Sequence, residues 1–496
     1  MNVSNETDVD VRARLPALIA ELEGFLAPDA ILYDDEDLRP FECDALSVYR
    51  QMPLLVCLPE TIDQVRRILV LCHDWRIPVV ARGAGTGLSG GAMPLADGVL
   101  LSLAKFTRIL EVDPVNRLAR VEPGVRNLAV SEAVAEHGLY YAPDPSSQIA
   151  CSIGGNVAEN SGGVHCLKYG LTVHNVVGMK VLTMAGELLE IGGAVSDSPG
   201  YDLLALMTGS EGLLGVIVEV TVRLLPRPQS VRLVMAAFDS VRAAATAVGN
   251  IIAAGVIPAG LEMMDSLAIR AAEDFIHVGY PVDAQAILLC ELDGQIEEVE
   301  AQMSSVQALL REAGATALEL AVEPEHRQRL WAGRKAAFPA VGRIAPDYYC
   351  MDGTIPRHAL ADVLEKIEQM SREYGLSVAN VFHAGDGNLH PLILYDANTP
   401  GELARVEEMG GRILELCVEV GGTVTGEHGV GIEKLGQMCV QFGDDELSQF
   451  HAVKDALDPR GLLNPGKAVP TLHRCAEFGA MHVHRGALPF PELERF

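Results

Sequence analysis

Positive charge is scarce in this chain. Across 496 residues, 38 Lys and Arg stand against 67 Asp and Glu, giving a formal net charge of -29 and a pI near 4.8. A polyanion would be repelled along its whole approach, which excludes nucleic acid and disfavours an anionic membrane surface. Paired cysteines are also missing. The ten cysteines are scattered with no C-x-x-C among them, so an iron–sulfur cluster housed in this chain is not expected, and reduced thiols are. Long apolar runs are absent too: the stretch 213–225 is interrupted by Glu219, Thr221 and Arg223, too soon to cross a bilayer. The opening Met1-Asn-Val-Ser-Asn-Glu-Thr-Asp8 has neither a basic region nor an apolar one, so no secretory signal is expected. A cytoplasmic protein follows, held peripherally at a membrane only if a partner holds it there.

With 49% hydrophobic and 21% charged residues, the length suits two or three globular domains. Residues 1–47 read as a helical arm, with a helix over 11–26 and an acidic segment after it. From Pro53 the texture becomes αβ. Thr61-Ile-Asp-Gln64 fits a capping box opening a helix to about Trp75, and residues 77–81 read as a strand. A glycine loop follows, Arg82-Gly-Ala-Gly-Thr-Gly-Leu-Ser-Gly-Gly91. It contains the G-x-G-x-x-G spacing, and Glu111 lies at the distance a dinucleotide-binding unit would need. A Rossmann turn must feed a helix, however, and this one leads to a second strand at 99–103. Backbone N–H groups in so glycine-dense a loop can still cradle a diphosphate directly. A second glycine-rich stretch, 143–163, offers small residues against which a flat ring could lie. A third, Gly209 to Gly215, opens an alternating strand at 216–223. After Pro226-Arg-Pro228 the pattern becomes that of a second α/β domain, with helices over 296–314, 325–338 and 401–420.

Chemistry concentrates near the end. His383-Ala-Gly-Asp-Gly-Asn-Leu-His390 places two histidines around a turn, with strands expected at 377–383 and 390–395. Gly426-Glu427-His428-Gly429 follows. Two imidazoles and one carboxylate leave coordination positions free, as a catalytic rather than a structural metal site requires. They accept zinc, manganese, iron or cobalt.

In this order, the three glycine loops, the His-x6-His hairpin and the Glu-His loop resemble the flavin-binding domain of the vanillyl-alcohol oxidase superfamily followed by the C-terminal domain of the FAD-linked oxidases. The likeness runs from about 48 to 467 and is nearest the glycolate oxidase branch, with D-lactate and D-2-hydroxyglutarate dehydrogenases further off. It implies an α+β fold with a two-subdomain FAD-binding domain over 48–228, an α/β cap or substrate domain over 229–425, an active-site loop and return over 426–467, and a tail over 468–496. It implies FAD with its diphosphate on Arg82, Gly83, Ala84, Gly85, Thr86 and Gly87. The flavin and ribityl chain would lie near Pro143, Ser147, Gly154, Gly155, Asn156, Asn160, Gly162, Gly163 and Ile217, with Asn464 reaching back from the far end. No histidine stands in the first glycine loop to tether the flavin, so dissociable FAD is expected. The resemblance further implies metal ligands His383, His390 and Glu427, a proton acceptor in His428, and Arg334, with Lys335 beside it, as the clamp for a substrate carboxylate.

A small (R)-2-hydroxy acid, glycolate or D-lactate, would then chelate the ion, give its hydroxyl proton to His428 and its C2 hydride to flavin N5. Tyr349-Cys350-Met351 stands where D-2-hydroxyglutarate enzymes carry a lysine, which disfavours a dicarboxylate. Electrons would leave through a companion flavin-type subunit and an iron–sulfur subunit towards quinone, unless the chain acts alone as a D-lactate or D-2-hydroxyglutarate dehydrogenase. Two readings of another class share the ligand set: a non-haem iron oxygenase, and a scaffold subunit stapled by its metal.

Overall fold

A computed structural model describes residues 11–195 and 200–471. The 468–496 tail expected from the sequence lies almost wholly outside these described residues. Strands buried for the most part on both faces form three main sheets. In the first, Ile31–Leu32, Leu55–Cys57, Val99–Ser102 and Val79–Arg82 lie side by side, the last three parallel. Thr61 caps the helix Ile62–Trp75 by accepting from the Gln64 N–H, and Val65, Ile68, Leu69 and Cys72 bury its apolar stripe against this sheet. The glycine loop after Val79–Arg82 runs on to Val99–Ser102 with no helix between them.

The second sheet is antiparallel, in the order Ile109–Asp113, Leu118–Val121, Val216–Arg223, Val176–Leu182, Leu188–Gly192. In the second glycine-rich stretch, read from sequence only as backbone for a ring, the chain forms the helix Ile153–Glu159. The Ser152 hydroxyl accepts from Gly155 N, and a Cβ on Gly154 would meet Pro123 at 2.5 Å. Cap and close packing outweigh the poor helix propensity of Gly154 and Gly155.

The third sheet has seven antiparallel strands: Ala317–Ala321, Ser230–Phe238, Ala286–Gly294, Gly260–Asp265, Val378–His383, Pro391–Tyr395 and Asp347–Cys350. Along Ser230–Phe238, Val234, Ala236 and Phe238 enter one core, and Leu233, Met235 and Ala237 the other. The helices Val241–Ala253, Ile296–Glu312, Leu360–Tyr374 and Glu402–Glu419 supply the first core, and Ser266–Ile276 and Pro324–Ala340 the second. Strand, turn and return strand around His383 and His390 form as the spacing predicts. Gly387, at φ +85°, makes the turn against the Ile355 carbonyl, where a Cβ would come within 2.2 Å. Among the described residues no helix is long and apolar enough to cross a membrane. Among the described residues Cys43, Cys57, Cys72, Cys151, Cys166, Cys290, Cys350 and Cys417 are free thiols.

Polar contacts join the second and third sheets' surroundings. His165 Nδ1 lies 2.8 Å from Asp144 Oδ2 and its Nε2 3.1 Å from Glu291 Oε1, while Tyr169 donates to Asp293. Burial opposes charge on His165, but Asp144 and Glu291 outweigh it and raise its pKa well above 6.5. A raised folded-state pKa contributes stability that is fully present below about pH 6.5 and is lost as pH climbs through the folded value. The difference in unfolding free energy between the wild type and His165→Gln should therefore be largest at mildly acidic pH and shrink on alkalinisation. Denaturant titrations showing a pH-independent difference would contradict this linkage.

Candidate active site

The hairpin and the 425–431 loop bring three ligand atoms together. Glu427 Oε1 lies 3.3 Å from His383 Nε2 and 3.1 Å from His390 Nε2, and candidate atoms of the three residues all fall within 4.8 Å of one another. Metal–ligand bonds of about 2.0–2.1 Å put neighbouring donors about 3.0–3.4 Å apart, the spacing of both Glu427 pairs. His390 provides a second test of fit. Its ring nitrogens are buried without a hydrogen bond, although Nε2 is close to Glu427 and 3.6 Å from Asp352. Lone pairs that converge without hydrogen-bond alignment suit a cation better than they suit each other.

Electrostatics agree with that fit. Three buried carboxylates stay ionised. Against the cost of burial, His383 and Arg334 hold Glu262 below the usual range, Lys434 holds Asp352 well below it, and His383 and His390 do the same for Glu427. Arg334 and Lys434 balance two of these charges. The remaining field favours positive charge at these two imidazoles: despite burial, the carboxylates Glu262 and Glu427 raise His383 well above 6.5, and Asp352 and Glu427 raise His390. His428 behaves oppositely. Burial lowers it to about 4, with Asp352 opposing and His390 reinforcing the shift. Stacked on His390 at 5.0 Å between ring centroids, it is a neutral imidazole with Nε2 3.9 Å from Glu427 Oε1. Environments that push neighbouring histidines apart in this way allow them different protonation states at one pH.

The loop carrying Glu427 and His428 is held by two buried carboxylates. Asp352 accepts from the backbone N–H groups of Gly426 at 3.1 Å, Glu427 at 3.1 Å and His428 at 2.8 Å, from Thr425 Oγ at 2.6 Å, and from Lys434 Nζ at 3.1 Å. Glu211, from the third glycine loop, accepts from Val430 N and Gly431 N, both at 2.7 Å.

One cavity of about 420 Å³ joins this centre to the glycine loops. Of the expected cofactor residues, Arg82, Gly83, Ala84, Gly85, Thr86, Gly87, Ser147, Gly154, Gly155, Asn156 and Ile217 line it, as do Arg334, Lys335, His390, Glu427 and His428. His383 is not part of the wall, although its Nε2 lies 3.3 Å from Glu427 Oε1. Pro143, Asn160, Gly162, Gly163 and Asn464 are outside it as well. Asn160 caps a helix at φ +54°, Gly162 backs Glu427, and Asn464 Nδ2 ties the returning chain to the Gly91 and Glu211 carbonyls. Arg334 holds Glu262 through Nε and Nη2, which leaves Nη1 and the second Nη2 hydrogen for another group. Lys335 is exposed and makes no ion pair among the described residues. Sequence reasoning missed Glu262, Asp352 and Glu211, whose partners lie far away along the chain and follow no motif.

A family model described as FAD linked oxidases, C-terminal domain, matches residues 227–468, and one described as FAD binding domain matches 53–192. The sequence is 66% identical over 489 residues to glycolate oxidase subunit GlcD of Escherichia coli, covering 99% of this chain and 97% of that protein. It is 40% identical to glycolate oxidase subunit GlcD of Bacillus subtilis, covering 86% and 91%, and 32% identical to D-lactate dehydrogenase of Anaerostipes hadrus, covering 89% and 95%. Among solved structures, p-cresol methylhydroxylase shares the fold at 18% identity with a TM-score of 0.78, covering 93% of this chain and 98% of that one.

Replacing Asp352 by Asn would turn an amide N–H towards these donors and leave Lys434 charged and unpaired in the interior. Asp352→Asn should cost about 3–5 kcal/mol in denaturant unfolding. A loss below about 1 kcal/mol would show that the loop does not depend on this carboxylate.

Proposed function

The chain belongs to the FAD-linked oxidase family and is an FAD-dependent oxidoreductase of hydroxy acids, and on that premise we propose that its substrate is a small 2-hydroxy acid, glycolate first and D-lactate second, oxidised to the 2-oxo acid with metal assistance. The wall shared by the glycine loops, His390, Glu427 and His428 supports this reading, because glycine-loop N–H groups able to cradle a diphosphate and an imidazole able to take a proton line one space. We read residues 48–228 as the flavin domain, 229–425 as the cap, 426–467 as the loop and return, and 1–47 as an arm.

When bound, FAD supplies a two-electron acceptor, and a divalent ion among His383, His390 and Glu427 supplies the charge that acidifies the substrate hydroxyl. His428 accepts the hydroxyl proton at Nε2, its nitrogen nearer to Glu427, and its lowered pKa keeps it neutral for that task. Arg334 and Lys335 hold the substrate carboxylate, the former through the guanidinium edge Glu262 leaves unused and the latter from the rim. Tyr349, Cys350 and Met351 are buried and do not line the cavity, so they offer no cation for a second carboxylate. That supports a monocarboxylate. The first glycine loop has no histidine, which supports non-covalent FAD. The E. coli and B. subtilis relatives are named as subunits, and this chain, with no C-x-x-C pair, is proposed to pass electrons to a companion flavin-type subunit and an iron–sulfur subunit leading to quinone.

Anaerobic additions of glycolate, D-lactate and L-lactate should bleach the flavin absorbance with the first two only. Bleaching by L-lactate alone would overturn the assignment. His428→Ala should lower kcat by about 100- to 10,000-fold with flavin and metal content unchanged, and an unaltered kcat would remove His428 as base. Acidification gives a further check. His383 and His390 must be unprotonated to hold a cation, and their raised pKa values mean that protons displace it before His428, near 4, is protonated. The acid limb of activity should therefore move to lower pH as free divalent cation is increased. A limb fixed near pH 4 at every metal concentration would argue against this ligand set.

A further inference from the structure

The Glu262 carboxylate divides its two oxygens between groups from different elements. Oε1 lies 2.7 Å from His383 Nδ1, while Oε2 lies 2.9 Å from Arg334 Nε and 2.8 Å from Arg334 Nη2. All three residues are buried, with 1%, 4% and 2% of Glu262, His383 and Arg334 exposed. Register explains the first contact, because Glu262 and His383 are directly paired across neighbouring antiparallel strands. Helix packing explains the second. Leu330, Ala337 and Ala340 set the helix Pro324–Ala340 on the sheet face that carries Met264 and Val381, and Arg334 shares that buried stripe.

We propose that Glu262 is a positioning residue that couples the two halves of the site, fixing the tautomer of a metal ligand with one oxygen and the orientation of the substrate clamp with the other. The proposal rests on the reading above, in which His383 is a ligand and Arg334 a clamp. An ionised carboxylate can only accept, so His383 must donate from Nδ1 and present a lone pair at Nε2, the nitrogen 3.3 Å from Glu427 Oε1. An imidazole whose far N–H is held by a carboxylate is also a more basic ligand, oriented before the ion arrives. On the other side Glu262 takes the Nε–Nη2 edge of the guanidinium. Nη1 and the second Nη2 hydrogen remain as a fork for another carboxylate. Cation binding and carboxylate binding then depend on one side chain that touches neither ligand.

Substitution separates this role from simple packing. A glutamine at 262 offers one acceptor and one donor, so either His383 or Arg334 must face an N–H. Glu262→Asp keeps the charge and shortens the reach, and it is measured alongside because an unpaired interior Arg334 threatens folding of Glu262→Gln. FAD-containing protein stripped of divalent ions would be titrated with Co²⁺ by calorimetry, and KM and kcat for glycolate measured at saturating Co²⁺. Expected for Glu262→Gln are a dissociation constant weakened about 10- to 100-fold and a KM raised more than kcat falls, with Glu262→Asp intermediate and flavin content unchanged. If Glu262→Gln does not fold, the same two shifts in Glu262→Asp carry the test. Wild-type Co²⁺ affinity in the folded variants would overturn the proposal and leave the metal reading standing, and a weakened affinity with unchanged KM would overturn the coupling. Failure of the wild type to bind Co²⁺ would overturn the metal reading and this proposal with it.

Discussion

Five donors converge on the Asp352 carboxylate, and three of them are consecutive backbone N–H groups of the segment that carries Glu427 and His428. Without that anchor, a loop containing Gly426, Gly429 and Gly431 would have wide conformational freedom, and its two functional side chains would lack a fixed position. Glu211, in the third glycine loop, grips the backbone N–H groups of Val430 and Gly431. The loop is thereby held from two sides, by Asp352 and by Glu211. Lys434, fully buried, donates to Asp352 and to the Gly429 carbonyl and keeps the charge at Asp352 tolerable in the interior.

Rigid placement of the loop permits a division of labour among three histidines packed ring against ring. His383 and His390 sit in a field that attracts positive charge, whereas His428 sits where burial and its neighbours repel it. Residue type cannot distinguish them. The difference lies in which carboxylates face each ring: Glu262 and Glu427 on His383, Glu427 and Asp352 on His390, and for His428 an Asp352 already largely satisfied by other donors. Chemistry of opposite sign thus coexists within a few ångströms because the site is buried and its polar groups are held by hydrogen bonds.

Much of this was legible in the sequence where the signal is local. Histidines at the ends of a glycine turn between apolar strands announce a hairpin, and a glycine loop that feeds a strand announces a nucleotide site other than the Rossmann kind. Long-range pairing was not legible. Glu262 lies 121 residues from His383 and 72 from Arg334, and no pattern in the chain states that strand Gly260–Asp265 runs beside Val378–His383 in the register that joins them. Asp352 is hidden similarly, between a strand end and a glycine. Arg334 was visible as a cation, but its charge is shared with a carboxylate that only the packing reveals. The helix Ile153–Glu159 escaped notice because two glycines near its start argue against helix, and tertiary contacts with Pro123 and the first glycine loop decide otherwise.

The account's central claim is that a divalent cation and the flavin work on the same substrate in one cavity. Its most direct test is a stopped-flow measurement without oxygen, mixing glycolate with FAD-containing protein that has been stripped of divalent ions, and then with the same protein after Zn²⁺, Mn²⁺ or Co²⁺ is restored. Flavin absorbance should stay nearly constant in the stripped protein and decay rapidly once a cation is returned. Equal rates of decay in both samples would contradict the claim.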